Sequence, residues 1–94
     1  MRLVMATAPI DQAPELARNL VEGRYAACVN VVPKVRSIYL WEGKIEDEQE
    51  ALLLIKTTSE KVHALTERIK ALHPYDVPEI ISVEIKKNEG NSEY

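Results

Sequence analysis

Val35-Arg36-Ser37-Ile38-Tyr39-Leu40-Trp41-Glu42-Gly43 leads through an acidic Glu46-Asp47-Glu48-Gln49-Glu50 into Ala51-Leu52-Leu53-Leu54-Ile55. The first run is rich in β-branched and aromatic residues, and no helical periodicity separates it from the last. Gly43 falls where a hairpin turn or a Gly bulge belongs. The apolar pentapeptide 51–55 reads as a central strand covered on both faces. These residues therefore predict two adjacent antiparallel strands, the middle of the chain.

Outward from this hairpin, the flanking segments alternate. Ala26–Val32 is strand-like, with Ala27, Val29 and Val31 facing one way and Cys28, Asn30 and Val32 the other. Pro33 interrupts it. Upstream, Leu16, Ala17, Leu20 and Val21 recur at helical spacing, and Glu15, Arg18, Asn19 and Glu22 take the opposite face. Asp11 is the expected N-cap, Pro14 falls in the first turn and Gly23 stops the helix, giving a helix over about 11–23. Arg2–Thr7, ended by Ala8-Pro9, is a short buried strand. Downstream, Val62, Leu65, Ile69 and Leu72 form the strongest helical stripe in the chain, with Thr58 or Ser59 as cap and Pro74 as terminator. Ile80–Lys86 alternates as a half-exposed strand, and 87–94 is a polar loop or tail.

The order strand, helix, strand hairpin, helix, strand is the split β-α-β arrangement of ferredoxin-like α+β folds. Both helices then cover one face of an antiparallel sheet across a single domain of residues 1–94. Apolar positions on the other face call for a partner subunit. A chain of 94 residues has a modest core, here built from Val, Ile, Leu and Ala because Phe is absent.

Composition excludes several classes. A net charge of −3 with scattered Lys and Arg lacks the basic footprint of a nucleic-acid binder. The apolar runs are too short to span a membrane, and no signal peptide is visible. Cys28 alone permits no intrachain disulfide, which favours a reducing, cytoplasmic setting.

Few side chains carry chemistry. Cys28 is either a small apolar packing residue or a soft ligand for Cu(I) or a related metal. His63 and His73, ten residues apart, would sit about 80° apart around a helix and some 15 Å along it, so they cannot chelate one ion within a subunit. His63 reads as a solvated helix residue. His73 sits where an imidazole caps helix carbonyls or serves a site. Glu46, Glu48 and Glu50 share one strand face, as a solvated edge or a weak site for a hard cation. Tyr39 and Trp41 also share a face, as core or interface anchors. No phosphate loop, HExxH or placed nucleophile-base pair is present, and nothing positions Glu79 as an acid or base.

Ala26-Ala27-Cys28-Val29-Asn30 with Pro33, Ser37-Ile38-Tyr39-Leu40-Trp41-Glu42-Gly43, Lys56-Thr57-Thr58 and His73-Pro74-Tyr75-Asp76-Val77-Pro78-Glu79-Ile80 occur in that order. Ala6-Thr7-Ala8-Pro9 begins the series and Asn91-Ser92-Glu93-Tyr94 ends it. Together they resemble the signature of the divalent-cation tolerance (CutA) family over essentially the whole chain. The resemblance implies a homotrimer of ferredoxin-like subunits whose long β-hairpin reaches a neighbour, like the nitrogen-regulatory signal proteins in architecture. It implies a role in tolerance of copper and other divalent cations, and no enzymatic activity or required cofactor. By resemblance Cys28 and His73 are the metal-linked positions, and Lys56, Tyr75, Glu79, Trp41 and Tyr39 line a cleft between subunits. That cleft could instead hold a small anionic metabolite anchored by Lys56, or the assembly could be purely structural. Ala6 stands where some relatives carry a second thiol, and Leu72 where some carry a second His. The chain ends at Tyr94, where similar proteins continue with another Trp, as a C-terminally shortened chain would.

Overall fold

The computed structural model describes residues 1–75, 79–86 and 90. The expected motif residues 76–78 and 91–94, and the tail at 87–89, lie outside the described residues. Strand β1 spans Arg2–Ala8, helix α1 Ala13–Glu22, strand β2 Cys28–Trp41 and strand β3 Lys44–Thr57. A 3-10 turn over Ser59–Lys61 leads into helix α2, Val62–Leu72, and strand β4 covers Ile80–Glu84. The four strands form one sheet in the order β2-β3-β1-β4 with every neighbour antiparallel. This is the expected ferredoxin-like split β-α-β fold.

The two central strands present alternate residues to the helices. Val4, Ala6 and Ala8 of β1 and Ala51, Leu53 and Ile55 of β3 are buried on one face, packed with Leu16, Ala17 and Leu20 of α1 and with Leu65 and Ile69 of α2. The opposite face carries Leu3 and Met5, Leu52 and Leu54, and Ile81 and Val83 in register across β1, β3 and β4. Ile81 is 45% and Val83 43% exposed. Residues 51–55 are thus covered on one face by their own chain, and only half-buried on the other. Against the expectation that both faces are covered, no second layer lies on the other face among the described residues.

Several local expectations are corrected. Asp11 is not the N-cap: the N–H groups of Gln12 and Ala13 both bond the Pro9 carbonyl, which closes a turn and moves the cap to Gln12. Neither Thr58 nor Ser59 makes a capping side-chain hydrogen bond; Thr58 is extended before the 3-10 turn. Gly23 does end α1, but in right-handed conformation, and Arg24 takes the positive φ of 63°. Leu72, the last member of the helical stripe, is exposed. Regular strand structure ends at Glu84, two residues short of the expected limit.

Pro33 does not split β2. Val32 pairs with Leu52 and Val35 with Glu50, so β2 spends three steps where β3 spends two. That is a β-bulge, and a proline with no N–H to donate is tolerated there. The extra residue inverts the side-chain alternation. Cys28, Asn30 and Val32 lie on the open face before the bulge; Val35, Ser37, Tyr39 and Trp41 lie on it afterwards. The hairpin closes on Glu42 (φ 50°) and Gly43 (φ 78°) between the Trp41–Lys44 pair, the two positive φ values of a type I′ turn. Beyond the helices it forms an arm that stretches the molecule to 44 × 25 × 22 Å.

Candidate functional site

The open face gathers nearly all the expected site residues, in two groups. At one end of the sheet, Cys28, Lys56 and Leu3 form one cross-strand row. The Cys28 thiol lies 3.9 Å from Asn30 Oδ1 and is half-buried. Lys56 is half-buried beside it.

At the other end, α2 delivers His73 to the last turn of β1. His73 is only 7% exposed, and its Nε2 lies 2.6 Å from the Thr7 carbonyl oxygen. Its Nδ1 accepts the Tyr75 backbone N–H at 3.1 Å. An Nδ1 that accepts leaves Nε2–H as the donor to Thr7, which defines one neutral tautomer. The Tyr75 ring packs edge-on against the imidazole at 4.5 Å and sends its hydroxyl to Glu50 Oε1 at 2.8 Å. Glu50 is 6% exposed. Burial, then the Glu50 hydrogen bond and charge, push the Tyr75 phenol well above its ordinary range. An acidic residue read as part of a solvated stripe is thus the buried end of a knot joining α2, β1 and β3.

Glu46 and Glu48 continue from Glu50 along the arm on the same face, opposite Tyr39 and Ser37. The Tyr39 phenol is raised above its usual range by desolvation, then by the neighbouring Glu48 carboxylate, and by the charges of Glu46 and Glu50. Trp41 lies exposed at the tip of this face. On the other face of the arm, Arg36 grips Asp47 with two parallel bonds, at 2.8 Å from Nε and 2.6 Å from Nη2, which holds the Asp47 carboxyl below its usual range. Glu79 is exposed just before β4.

The two expected metal-linked residues are not brought together within one chain. Cys28 lies in the Leu3 row and His73 binds in the Thr7 row. The separation is about 13 Å along the strands and two strand spacings, about 10 Å, across them. Both His73 ring nitrogens are engaged. Among the described residues no group of three His, Cys, Asp or Glu side chains is arranged to hold a metal ion. What sequence reasoning missed is the Glu50–Tyr75 contact, for which a 25-residue separation leaves no local signal. No helix among the described residues is long and apolar enough to cross a membrane.

A profile of the CutA1 divalent ion tolerance protein family matches residues 2–94. The divalent-cation tolerance protein CutA of Thermus thermophilus is 52% identical over 93 residues, which cover 98% of this chain and 88% of that protein. A CutA homolog of Xenopus laevis is 53% identical over 89 residues, 94% of this chain but 58% of its own length. The solved PII-like protein CutA from Nostoc in apo form superposes with a TM-score of 0.88 at 36% identity, covering 92% of this chain and 82% of that one.

Proposed function

The chain belongs to the CutA1 divalent ion tolerance family, and from that premise we propose that it acts as a homotrimer in divalent-cation tolerance, with copper bound between subunits and no catalysis. Each subunit contributes one domain of residues 1–94. The observation that carries the assembly is the uncovered sheet face. Among the described residues of one copy, Leu3, Met5, Leu52, Leu54, Ile81 and Val83 have no second layer, and Ile38, Leu40, Trp41 and Ile45 are exposed along the arm. Apolar area of this kind, on the sheet face and on both faces of the arm, marks an interface.

The described donors of a single chain do not fit a metal, so the proposed cation lies at a subunit boundary, with Cys28 as soft donor and His73 as imidazole donor. His73 can ligate only by giving up Thr7 or the Tyr75 amide, which sets a cost against binding. That cost favours a second reading, in which tolerance is indirect and the cleft between subunits takes a small anionic metabolite. Lys56 would anchor it, within walls that include Tyr39, Trp41, Tyr75 and Glu79. The free Cys28 thiol supports a reducing compartment, and we place the protein in the cytoplasm.

Light scattering tests the assembly. A trimer of 10.6 kDa chains has a mass of about 32 kDa, and Ile81→Asp, a change a lone subunit tolerates, dissociates it. Anaerobic Cu(I) and then Cu(II) titration of the native chain, Cys28→Ser and His73→Ala tests the metal. Stoichiometric binding lost in both variants is expected. Equal binding in all three removes this site and leaves the metabolite reading, which a thermal-shift screen of anionic metabolites addresses by concentration-dependent stabilisation.

A further inference from the structure

On the helix side of the sheet, away from the face assigned to subunit contact, α2 overhangs the edge strand β4. The depression beneath it has a volume of about 470 Å³ and is lined by Arg2, Ser59, Val62, His63, Thr66, Glu67, Lys70 and Ser82, a size within the span of small-ligand sites. Its lining is unusual for this acidic chain. Arg2, His63 and Lys70 converge on it with three hydroxyls, against one carboxylate. Glu67 already leans on Lys70 at 3.9 Å, but both side chains are more than half exposed, so the pair is loose.

Arg2 gives the depression its chemistry. Its Nε is buried and meets no hydrogen-bond acceptor among the described residues. A guanidinium is always charged and carries its donors in a rigid planar fork, so a buried Nε–H without an acceptor is costly. The residue facing Arg2 across the sheet is Glu84, one register step beyond the Ser82–Val4 and Val83–Leu3 pairs, yet the two form no ion pair within 4 Å. Among the described residues the buried Nε–H is thus left open to an acceptor.

We propose that this depression is a binding site for a small oxyanion, a phosphate group or a carboxylate. Arg2 would be the fork with its buried Nε, Lys70 the peripheral cation, His63 a ring N–H donor, and Ser59, Thr66 and Ser82 the hydroxyl donors. Charge-assisted bonds of guanidinium to carboxylate or phosphate are the strong class of hydrogen bond, and the fork matches both groups. The site lies on the helix face, distinct from the sheet face assigned to subunit contact, and it does not depend on the copper reading. His63, a bland surface histidine in the sequence, acquires a role here.

The test follows the Arg2 Nε–Hε resonance of the 15N-labelled full chain during separate titrations with inorganic phosphate and succinate, against sodium chloride at equal ionic strength. A saturable shift with phosphate or with succinate is expected, and the anion that produces it names the ligand chemistry. Lys70→Ala, at an exposed helix position that leaves the fold intact, should weaken that binding about tenfold, and Arg2→Gln, followed through the Ser59 and Ser82 backbone amides, should abolish it. The site is overturned if neither anion exceeds the chloride control, or if Lys70→Ala titrates like the native chain. It is overturned too if Glu84→Gln, with no anion added, moves the Arg2 resonance, because Glu84 is then the acceptor.

Discussion

Removing the Tyr75 hydroxyl tests whether the knot at the end of the sheet holds the open face in shape. In Tyr75→Phe the ring still packs against His73, and only the bond to Glu50 Oε1 at 2.8 Å is lost. Glu50 is 6% exposed, so water cannot freely replace the phenol. An acceptor stranded in this way costs about 1–3 kcal/mol. For a domain of this size that is a fall in melting temperature of roughly 5–20 °C at fixed protein concentration. Glu50→Met in the Tyr75→Phe background removes the stranded charge and should recover much of the loss, because deleting both partners is far milder than deleting one. The four proteins of this cycle, melted under identical conditions, give a coupling of at least about 0.5 kcal/mol. The pH dependence has a definite sign. The folded-state phenol is raised, by burial and then by Glu50, so its contribution is complete below the unfolded value near 10 and is lost as pH rises through the higher folded value. The gap between native and Tyr75→Phe is thus constant through neutral pH and closes in strong alkali. A Tyr75→Phe protein that melts with the native one, or a cycle without coupling, would falsify the knot as a structural element.

Three further outcomes follow from the same geometry. Glu42→Asn, at a φ of 50° in the type I′ turn, should stabilise by up to about 1 kcal/mol, and Gly43→Ala at 78° should cost about that much; urea midpoints read both. Leu65→Ala, at a fully buried position of α2, should lose roughly 2–5 kcal/mol by the same measurement. The Arg36–Asp47 grip is present above the ordinary carboxylate range and is lost as pH falls through the depressed Asp47 value. Amide exchange along the arm should therefore accelerate in strong acid in the native chain, and show no such step in Asp47→Asn.

Periodicity made most of the fold legible. Leu65 and Ile69 announced α2, and the want of a helix between residues 35 and 55 announced the hairpin. The misreadings share a cause, because each depended on backbone geometry that a residue type permits without requiring. Pro33 allows a strand to end or to bulge, and the register with β3 chose the bulge. Asp11 allows a cap, and the Pro9 carbonyl supplied the turn instead. The site was less legible because its contacts join distant segments. Glu46, Glu48 and Glu50 look equivalent in a row, yet Glu50 alone meets a phenol brought round from the end of α2. The open-face membership of Tyr39 and Trp41 depends on the extra residue at the Pro33 bulge, six and eight positions upstream, which simple alternation does not encode.

Under the proposed assembly, the sheet edges distinguish a ring from a twofold pair. Its two edges are unlike: β2 is long and carries the arm, and β4 is short, with five residues. An isologous dimer joins like to like. Pairing through β2 would leave both β4 edges bare, and pairing through β4 would leave both arms bare, with Ile38 and Leu40 still in water. A head-to-tail contact, arm of one subunit to the far edge of the next, covers both edges of every copy once the ring closes. In such a ring Cys28 and the His73 knot, set at opposite ends of one subunit's sheet and too far apart to share an ion, become candidates to meet across each boundary. Loss of assembly and loss of cation binding should then be inseparable.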